Sequence, residues 1–266
     1  MPTSRLYHEE RSPSPALVLL HGFPFDHTLW TAQLAELGDS VRVLAPDLPG
    51  FGTSAALRGA ATMDSLARAV LGWADGLGLD RFVLAGHSMG GYVALALARL
   101  APTRLRGLAL VSTRSGADNP AAQEGRAQLA AAITERGLQA AVDAMLPKLL
   151  GPEADRAQPA LRERVADLML RQPPGGSAEM LRAMAARPDS TPLLPRLPGP
   201  VLVLHGAGDA TIPPSEATAM AAAIPHATLV LIPGVGHLPM LETPAAVNSA
   251  LRALLGMSTH DATRGA

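Results

Sequence analysis

Residues 86–91, Gly-His-Ser-Met-Gly-Gly, limit the possible folds more than any other stretch because of what stands on either side. Residues 81–85 are a short apolar run that favours a β-strand, and residues 92–100 are rich in the helix formers Ala and Leu. A serine between glycines, in a turn from strand to helix, is the pattern of a nucleophile elbow, in which a positive φ lifts the hydroxyl clear of the sheet. The pattern therefore predicts that Ser88 is a nucleophile at the end of a strand.

Short apolar runs recur along the chain and alternate with helical patterns. The predicted strands cover residues 16–20, 41–46, 81–85, 107–113, 227–232 and a run that begins at residue 201. Residues 5–11 are predicted as one edge strand. Because parallel neighbours need a crossover, this alternation is typical of the α/β class, with a mostly parallel, doubly wound sheet and helices on both faces.

The alternation stops between residues 114 and 197. That region has only helical segments separated by Pro and Gly, which are predicted over residues 121–136, 138–150, 160–172 and 178–186. An all-helical insertion between two strands is most simply a cap over the strand ends. The predicted organisation is therefore a core domain of residues 1–113 and 198–256, a helical cap of residues 114–197 and a flexible tail of residues 257–266.

Composition and motifs exclude several classes of function. The net charge is −1 and there is no basic stripe, which argues against a nucleic-acid partner. There is no cysteine, and no His-Glu-x-x-His or comparable spacing, so neither a metal nor a cofactor is expected. Neither a signal-like N-terminus nor an apolar stretch of about 18 residues occurs, so no membrane insertion and a cytoplasmic location are expected.

Three polar residues follow the ends of three predicted strands, in the chain order Ser88, Asp209, His237. A serine hydroxyl is a weak nucleophile at neutral pH unless an imidazole accepts its proton, and a carboxylate on the other ring nitrogen holds that imidazole in the correct tautomer. Taken alone, Asp209 is better explained as an ordinary turn residue, and His237 is explained equally well as a buried, satisfied histidine. Their joint occurrence after the correct strands favours the catalytic interpretation.

A tetrahedral intermediate also needs donors for its oxyanion. The candidates are the N–H of Met89, directly after Ser88, and the N–H of Phe23, in the loop that follows the strand at residues 16–20. Two nearby histidines, His21 and His87, are interpreted chiefly as residues that order loops. His205 is interpreted as a buried structural histidine.

Five stretches together resemble the α/β-hydrolase fold superfamily over essentially the whole chain: residues 21–24, 47–54, 86–91, 206–209 and 234–237. The resemblance implies that Ser88, Asp209 and His237 form a catalytic triad, that Phe23 and Met89 supply an oxyanion hole and that the helical insertion is a lid. One strand fits before residue 16, where two are common in the superfamily.

Within that superfamily the chain is most similar to small serine carboxylesterases and enol-lactonases. Dehalogenases and epoxide hydrolases of this fold use Asp as the nucleophile. Carbon–carbon hydrolases usually have Asn before the nucleophile and Trp after the catalytic histidine, where this chain has His87 and Leu238. Haloperoxidases, which also act as perhydrolases, usually have Phe before the nucleophile. Carbon–carbon hydrolases and haloperoxidases of the perhydrolase type remain alternatives, as does a ligand-sensing receptor that keeps the triad.

The expected partner is a small-molecule ester or lactone, bound by a monomer or homodimer. Methionines at helical spacing in the insertion are interpreted mostly as core, with some available to line an adaptable acyl pocket. The candidate pocket residues are His21, Phe25, His87, Met145, Met169, Met180, Met184 and Leu238.

Overall fold

The computed structural model describes residues 8–11 and 16–260. The strands of this described part are β1 (His8–Arg11), β2 (Ala16–Leu20), β3 (Arg42–Pro46), β4 (Phe82–His87), β5 (Leu105–Val111), β6 (Val201–Gly206) and β7 (Ala227–Ile232). They form one sheet in the order β1-β3-β2-β4-β5-β6-β7, in which β1 runs antiparallel to β3 and every other pair is parallel. The predicted α/β fold is confirmed.

Helices fill the connections between the strands. They are α1 (Thr31–Leu37), α2 (Met63–Gly76), α3 (Met89–Leu100), α4 (Pro120–Arg136), α5 (Gln139–Leu149), α6 (Pro152–Ala157), α7 (Pro159–Leu170), α8 (Pro174–Ala185), α9 (Pro214–Ala223), α10 (Pro239–Glu242) and α11 (Pro244–His260). Helix α2 packs against α3, and α1 packs against α11. Helix α11 continues four residues past Gly256, the predicted end of the core domain, so residues 257–260 of the predicted flexible tail are helical. Residues 5–7 of the predicted edge strand and residues 261–266 of the predicted tail lie outside the described part.

Burial along the strands follows their place in the sheet. Strands β2, β4 and β6 are buried along their whole length, as expected for parallel strands that are covered on both faces. Strand β7 lies at one edge of the sheet and is the least covered of the strands β2 to β7, with Leu229 37% and Leu231 40% exposed. The deeply buried centre of the sheet therefore supports the ends of β4 and β6, where the candidate site lies.

The helical insertion, residues 112–200, contains α4 to α8, and the two largest differences from the prediction are the start of α8 and the presence of α6. Helix α8 begins at Pro174, four residues early, because proline is well suited to the first turn of a helix. The sequence does not predict helix α6, because Gly151-Pro152 is typical of a break between helices, whereas Pro152 begins that helix. Buried side chains of the insertion belong to the same hydrophobic cluster as the sheet. A separate cap domain stays a prediction.

Two buried aspartates hold the insertion in place: Asp118 joins parts of the insertion to one another, and Asp26 joins the insertion to the rest of the fold. Asp118 pairs with Arg187 at 2.9 Å, with Arg126 at 2.5 Å and with Arg114. Asp26, in the loop after β2, accepts hydrogen bonds from the Nε–H of Arg171 at 2.9 Å and from the side-chain amide of Gln172 at 2.9 Å. Burial alone would raise the pKa of Asp26, but hydrogen bonds from Arg171, Thr28 and Gln172 outweigh it and lower the pKa to about 2.

Asp26→Asn should therefore reduce stability in a pH-dependent way. The ordinary pKa of this carboxyl is 3.8, so the ionised form stabilises the folded state fully above about pH 4, and this contribution is lost as the pH falls toward 2. We expect urea unfolding at pH 7 to show a loss of about 2 kcal/mol in the free energy of unfolding, and a much smaller loss at pH 2.5. An equal loss at both pH values would contradict this account.

Candidate active site

Ser88 lies in a sharp turn between β4 and α3. Its backbone has φ 51° and ψ −113°, a rare conformation for a residue other than glycine. The turn is possible because glycines stand on both sides: a Cβ on Gly86 would lie 2.3 Å from the carbonyl oxygen of Gly90, and one on Gly90 would lie 2.5 Å from that of Leu20. Ser88 is partly exposed although the residues on both sides of it are buried. The turn therefore presents its side chain to the outside.

Hydrogen bonds hold this turn to the neighbouring strand. The N–H of Ser88 donates to the carbonyl of Val111 at the end of β5, and the distance is 2.9 Å. The hydroxyl of Thr113 donates to the carbonyl of Ser88 at 2.8 Å. The strained backbone is thus supported from β5, and the position of the serine hydroxyl is well defined.

The structure brings together the three residues that the strand ends predict. The Nδ1–H of His237 donates to Oδ2 of Asp209 at 2.7 Å, and Nε2 of His237 lies 3.0 Å from Oγ of Ser88. With the Nδ1 proton held by the carboxylate, Nε2 is free to accept the serine proton. Asp209 and His237 are 5% and 2% exposed, so the hydrogen bond between them is shielded from water.

Asp209 is held as a carboxylate by its surroundings. Burial opposes ionisation, but the electrostatic attraction of His237 and hydrogen bonds from His205 and His237 outweigh it and hold the pKa of Asp209 well below its usual range. The backbone N–H groups of Thr211 and Ile212 add hydrogen bonds to Oδ1 at 2.8 and 2.9 Å. Asp209 is therefore ionised at neutral pH and has a fixed orientation.

The two predicted oxyanion donors lie in suitable backbone positions. Met89 is the first residue of α3, where N–H groups have no acceptor within the helix. Phe23 lies in the loop directly after β2, and β2 is the parallel neighbour of β4. Among the described residues, no carbonyl or side chain accepts a hydrogen bond from the N–H of Phe23 or Met89. Their joint role in binding an oxyanion stays a prediction.

Three further histidines surround the site, and each is fully buried. His21 donates from Nδ1 to the carbonyl of Gly22 and accepts at Nε2 from the N–H of Leu48, both at 2.9 Å. The Nε2–H of His87 donates to the carbonyl of His237 at 2.8 Å. Burial lowers the pKa of both His21 and His87, so both are neutral supports of the surrounding loops.

His205 has a more direct contact with the site than the sequence indicated. Its Nε2–H lies 2.9 Å from the carbonyl of Ile212 and 3.1 Å from Oδ2 of Asp209. It therefore supports the same carboxylate oxygen that binds His237. The only sequence signal was its place four residues before Asp209 at the end of a strand, which also fits a purely structural histidine.

The candidate pocket residues are mostly packed inside the protein. The fully or almost fully buried ones are His21, Phe25, His87, Met169, Met180, Met184 and Leu238, while Met145 is partly buried. Met184 also contacts the guanidinium of Arg126 through its sulfur at 3.5 Å. These positions fit core packing, and their use in binding substrate stays a prediction.

One group of side chains in the described part has the composition of a metal site. Atoms of Asp26, His27 and Asp47 lie within 4.8 Å of one another. Both carboxylates are already used: Asp26 binds Arg171 and Gln172, and Asp47 binds the backbone and ring of His27. We therefore interpret the group as a loop anchor. No helix in the described part is both long and apolar enough to span a bilayer.

Comparisons with known proteins agree with this fold. A sequence profile of the alpha/beta hydrolase family matches residues 17–250. A solved thermophilic esterase from Thermogutta terrifontis is 43% identical with a TM-score of 0.92, and the match covers 95% of this chain and 93% of that one. The solved enol-lactonase from Burkholderia xenovorans LB400 is 28% identical with a TM-score of 0.87, over 94% of this chain and 96% of that one.

A longer relative also matches. The dihydrolipoyllysine-residue acetyltransferase component of an acetoin cleaving system from Pseudomonas putida is 34% identical over 90% of this chain. The match covers 63% of that relative, so this chain corresponds to only part of it.

Proposed function

Because the chain belongs to the alpha/beta hydrolase family, we propose that it is a serine hydrolase that cleaves small carboxylic esters or lactones through an acyl-enzyme intermediate. The observation that carries the proposal is the hydrogen-bond chain from Asp209 through His237 to Ser88, with distances of 2.7 and 3.0 Å. The similarity to a thermophilic esterase and an enol-lactonase supports the choice of esters and lactones.

In this mechanism Oγ of Ser88 attacks the carbonyl carbon of the substrate while Nε2 of His237 accepts the hydroxyl proton. The N–H groups of Phe23 and Met89 donate to the oxyanion of the tetrahedral intermediate, each contributing about 3 kcal/mol. The intermediate collapses, and His237 returns the proton to the departing alkoxide. A water molecule then attacks the acyl-enzyme by the same route, which releases the acid and restores Ser88.

A panel of p-nitrophenyl esters and simple lactones tests the proposal. We expect continuous turnover of p-nitrophenyl butyrate, and a kcat/KM lower by about tenfold or more for the dodecanoate, because the side chains predicted to line the pocket are packed inside the protein and leave limited room. Release of p-nitrophenol measures the ester rates, and pH-stat titration measures the lactones. A preference for the dodecanoate would contradict the small-substrate part of the proposal.

The same assay separates an enzyme from a receptor that retains the triad. An enzyme releases many equivalents of p-nitrophenol per chain at a constant rate. Release of about one equivalent followed by arrest would favour a ligand-sensing protein that is acylated once. A carbon–carbon hydrolase or perhydrolase would instead be indicated by faster reaction with a vinylogous diketone, or with hydrogen peroxide and acetate, than with any ester of the panel.

A further inference from the structure

Glu242 makes an unusual set of contacts for a partly exposed carboxylate. Its oxygens accept hydrogen bonds from the backbone N–H groups of Gly236 at 3.0 and 3.1 Å, of Leu238 at 3.2 Å and of Gly151 at 2.8 Å. Gly236 and Leu238 stand directly before and after His237. The carboxylate therefore binds the backbone on both sides of the imidazole that contacts Ser88.

The third N–H of this loop is bound by the helical insertion. The N–H of His237 itself donates to the carbonyl of Leu149, the last residue of α5, at 2.8 Å. The three successive N–H groups of residues 236–238 are thus all held, two by Glu242 and one by the insertion. A shift of either partner would move the backbone that carries the imidazole.

The insertion also lies in direct backbone contact with this loop. A Cβ added to Gly151 would lie 2.1 Å from the carbonyl oxygen of Gly234, and one added to Gly236 would lie 2.3 Å from the nitrogen of Gly151. The loop of Asp209 is joined to the same segment, since the hydroxyl of Thr211 donates to the carbonyl of Lys148 at 3.1 Å. Residues 148–151 therefore touch both the loop of the histidine and the loop of the aspartate.

We propose that Glu242 is a positioning residue that fixes the loop of His237 and, through Gly151, makes the place of the imidazole depend on the docking of the helical insertion. The inference rests on the proposed function, in which His237 accepts the proton of Ser88. Burial raises the pKa of Glu242, and the N–H groups of Gly236, Gly151 and Leu238 oppose that rise, so these hydrogen bonds favour the charged form in this place. Glu242 acts through the backbone and not on the substrate.

The test compares Glu242→Gln and Glu242→Ala with the matched control Glu179→Gln. Glu179 is also partly exposed and also joins the insertion to the core, by accepting the N–H of Ala61 at 3.0 Å, but it has no contact with the loop of His237. Three quantities are measured well below each melting temperature: kcat and KM for p-nitrophenyl butyrate, and the rate at which a fluorophosphonate reacts with Ser88. The labelling rate reports the activation of Ser88 independently of ester binding.

We expect both Glu242 variants to lose kcat by on the order of 10- to 100-fold, because a displacement of about 1 Å at a reacting group has an effect of this size. KM should change by less than about threefold, and fluorophosphonate labelling should slow by the same factor as kcat. Glu179→Gln should retain wild-type rates. If Glu242→Ala does not fold, the isosteric Gln variant decides the question, with Glu242→Asp as a second folded comparison.

Wild-type kcat and labelling rates in a folded Glu242 variant would overturn the inference, and so would a loss confined to melting temperature or to KM. These outcomes are distinct from failure of the proposed function. In that case the wild-type protein would not be labelled at Ser88, or Ser88→Ala would remain active, whatever the Glu242 variants did.

Discussion

Ser88→Ala should lower kcat/KM for p-nitrophenyl butyrate by a factor on the order of 10⁴ to 10⁶, because no acyl-enzyme can form without the Oγ atom. The activity that remains would come from substrate binding and the oxyanion donors alone. Stability should change little, since Ser88 is partly exposed and the one hydrogen bond of its hydroxyl in the described part of the chain is to the ring of His237. Steady-state release of p-nitrophenol and a thermal melt measure the two quantities.

The folded state of the Ser88→Ala variant is the control for this experiment. A melting temperature within about 3 °C of wild type together with near-complete loss of turnover assigns the loss to chemistry. Turnover above about one tenth of the wild-type rate in the folded variant would contradict a nucleophilic role for Ser88.

Asp209→Asn should lower kcat by about 10⁴-fold while leaving the protein folded. The amide places an N–H group or a neutral oxygen where Nδ1–H of His237 now meets a carboxylate at 2.7 Å. The imidazole is then no longer held in the Nδ1–H tautomer, and the imidazolium that forms during the reaction is no longer stabilised by a negative charge. Pre-steady-state release of p-nitrophenol should show that acylation itself slows. Stability should fall as well, because a neutral amide oxygen accepts the backbone hydrogen bonds from Thr211 and Ile212 less strongly than the carboxylate does.

Rescue at high pH separates this role from general damage. Hydroxide can replace the general base, so the rate of the Asp209→Asn variant should continue to rise at pH values at which the wild-type rate is already constant. A wild-type kcat in the variant would instead assign the carboxylate role to another residue, and none of the other acids described here contacts the His237 ring.

The ends of the strands explain why the central part of the site can be predicted from the sequence. Ser88 and Asp209 follow β4 and β6, the two neighbours of β5, and His237 follows β7 next to β6. Because parallel strands end at one edge of the sheet, polar residues just past their carboxyl ends meet there whatever the separation along the chain. The prediction needed only the order of apolar runs and the identity of the next residues.

The supports of the site could not be predicted in the same way. Glu242 reaches Gly151, 91 residues away in the chain, through a backbone approach that depends on how the insertion docks. His205 contacts Asp209 because β6 ends one residue after it, a boundary that apolar patterning does not define. Such contacts are made or lost when the backbone shifts by about one ångström. Hydrophobic periodicity predicts which elements form, but not their positions to that precision.

Boundaries at proline and glycine were the other failure. Gly151-Pro152 and Pro173-Pro174 are typical of breaks between helices, but in each pair the second residue, a proline, begins a helix. Proline both ends one helix and starts the next, so its position alone does not say which side is helical. The tertiary contact of Gly176 with the backbone of Gly50, where an added Cβ would lie 2.1 Å from the carbonyl oxygen, explains a glycine in the first turn of α8.

The most direct test of the central claim is the mass of the intact protein, and of its peptides, after reaction with a fluorophosphonate. The account predicts one adduct per chain, on Ser88, formed at a rate that falls sharply in Asp209→Asn and absent in Ser88→Ala. An adduct on another residue, or ester hydrolysis that continues at the wild-type rate in fully labelled or Ser88→Ala protein, would contradict it.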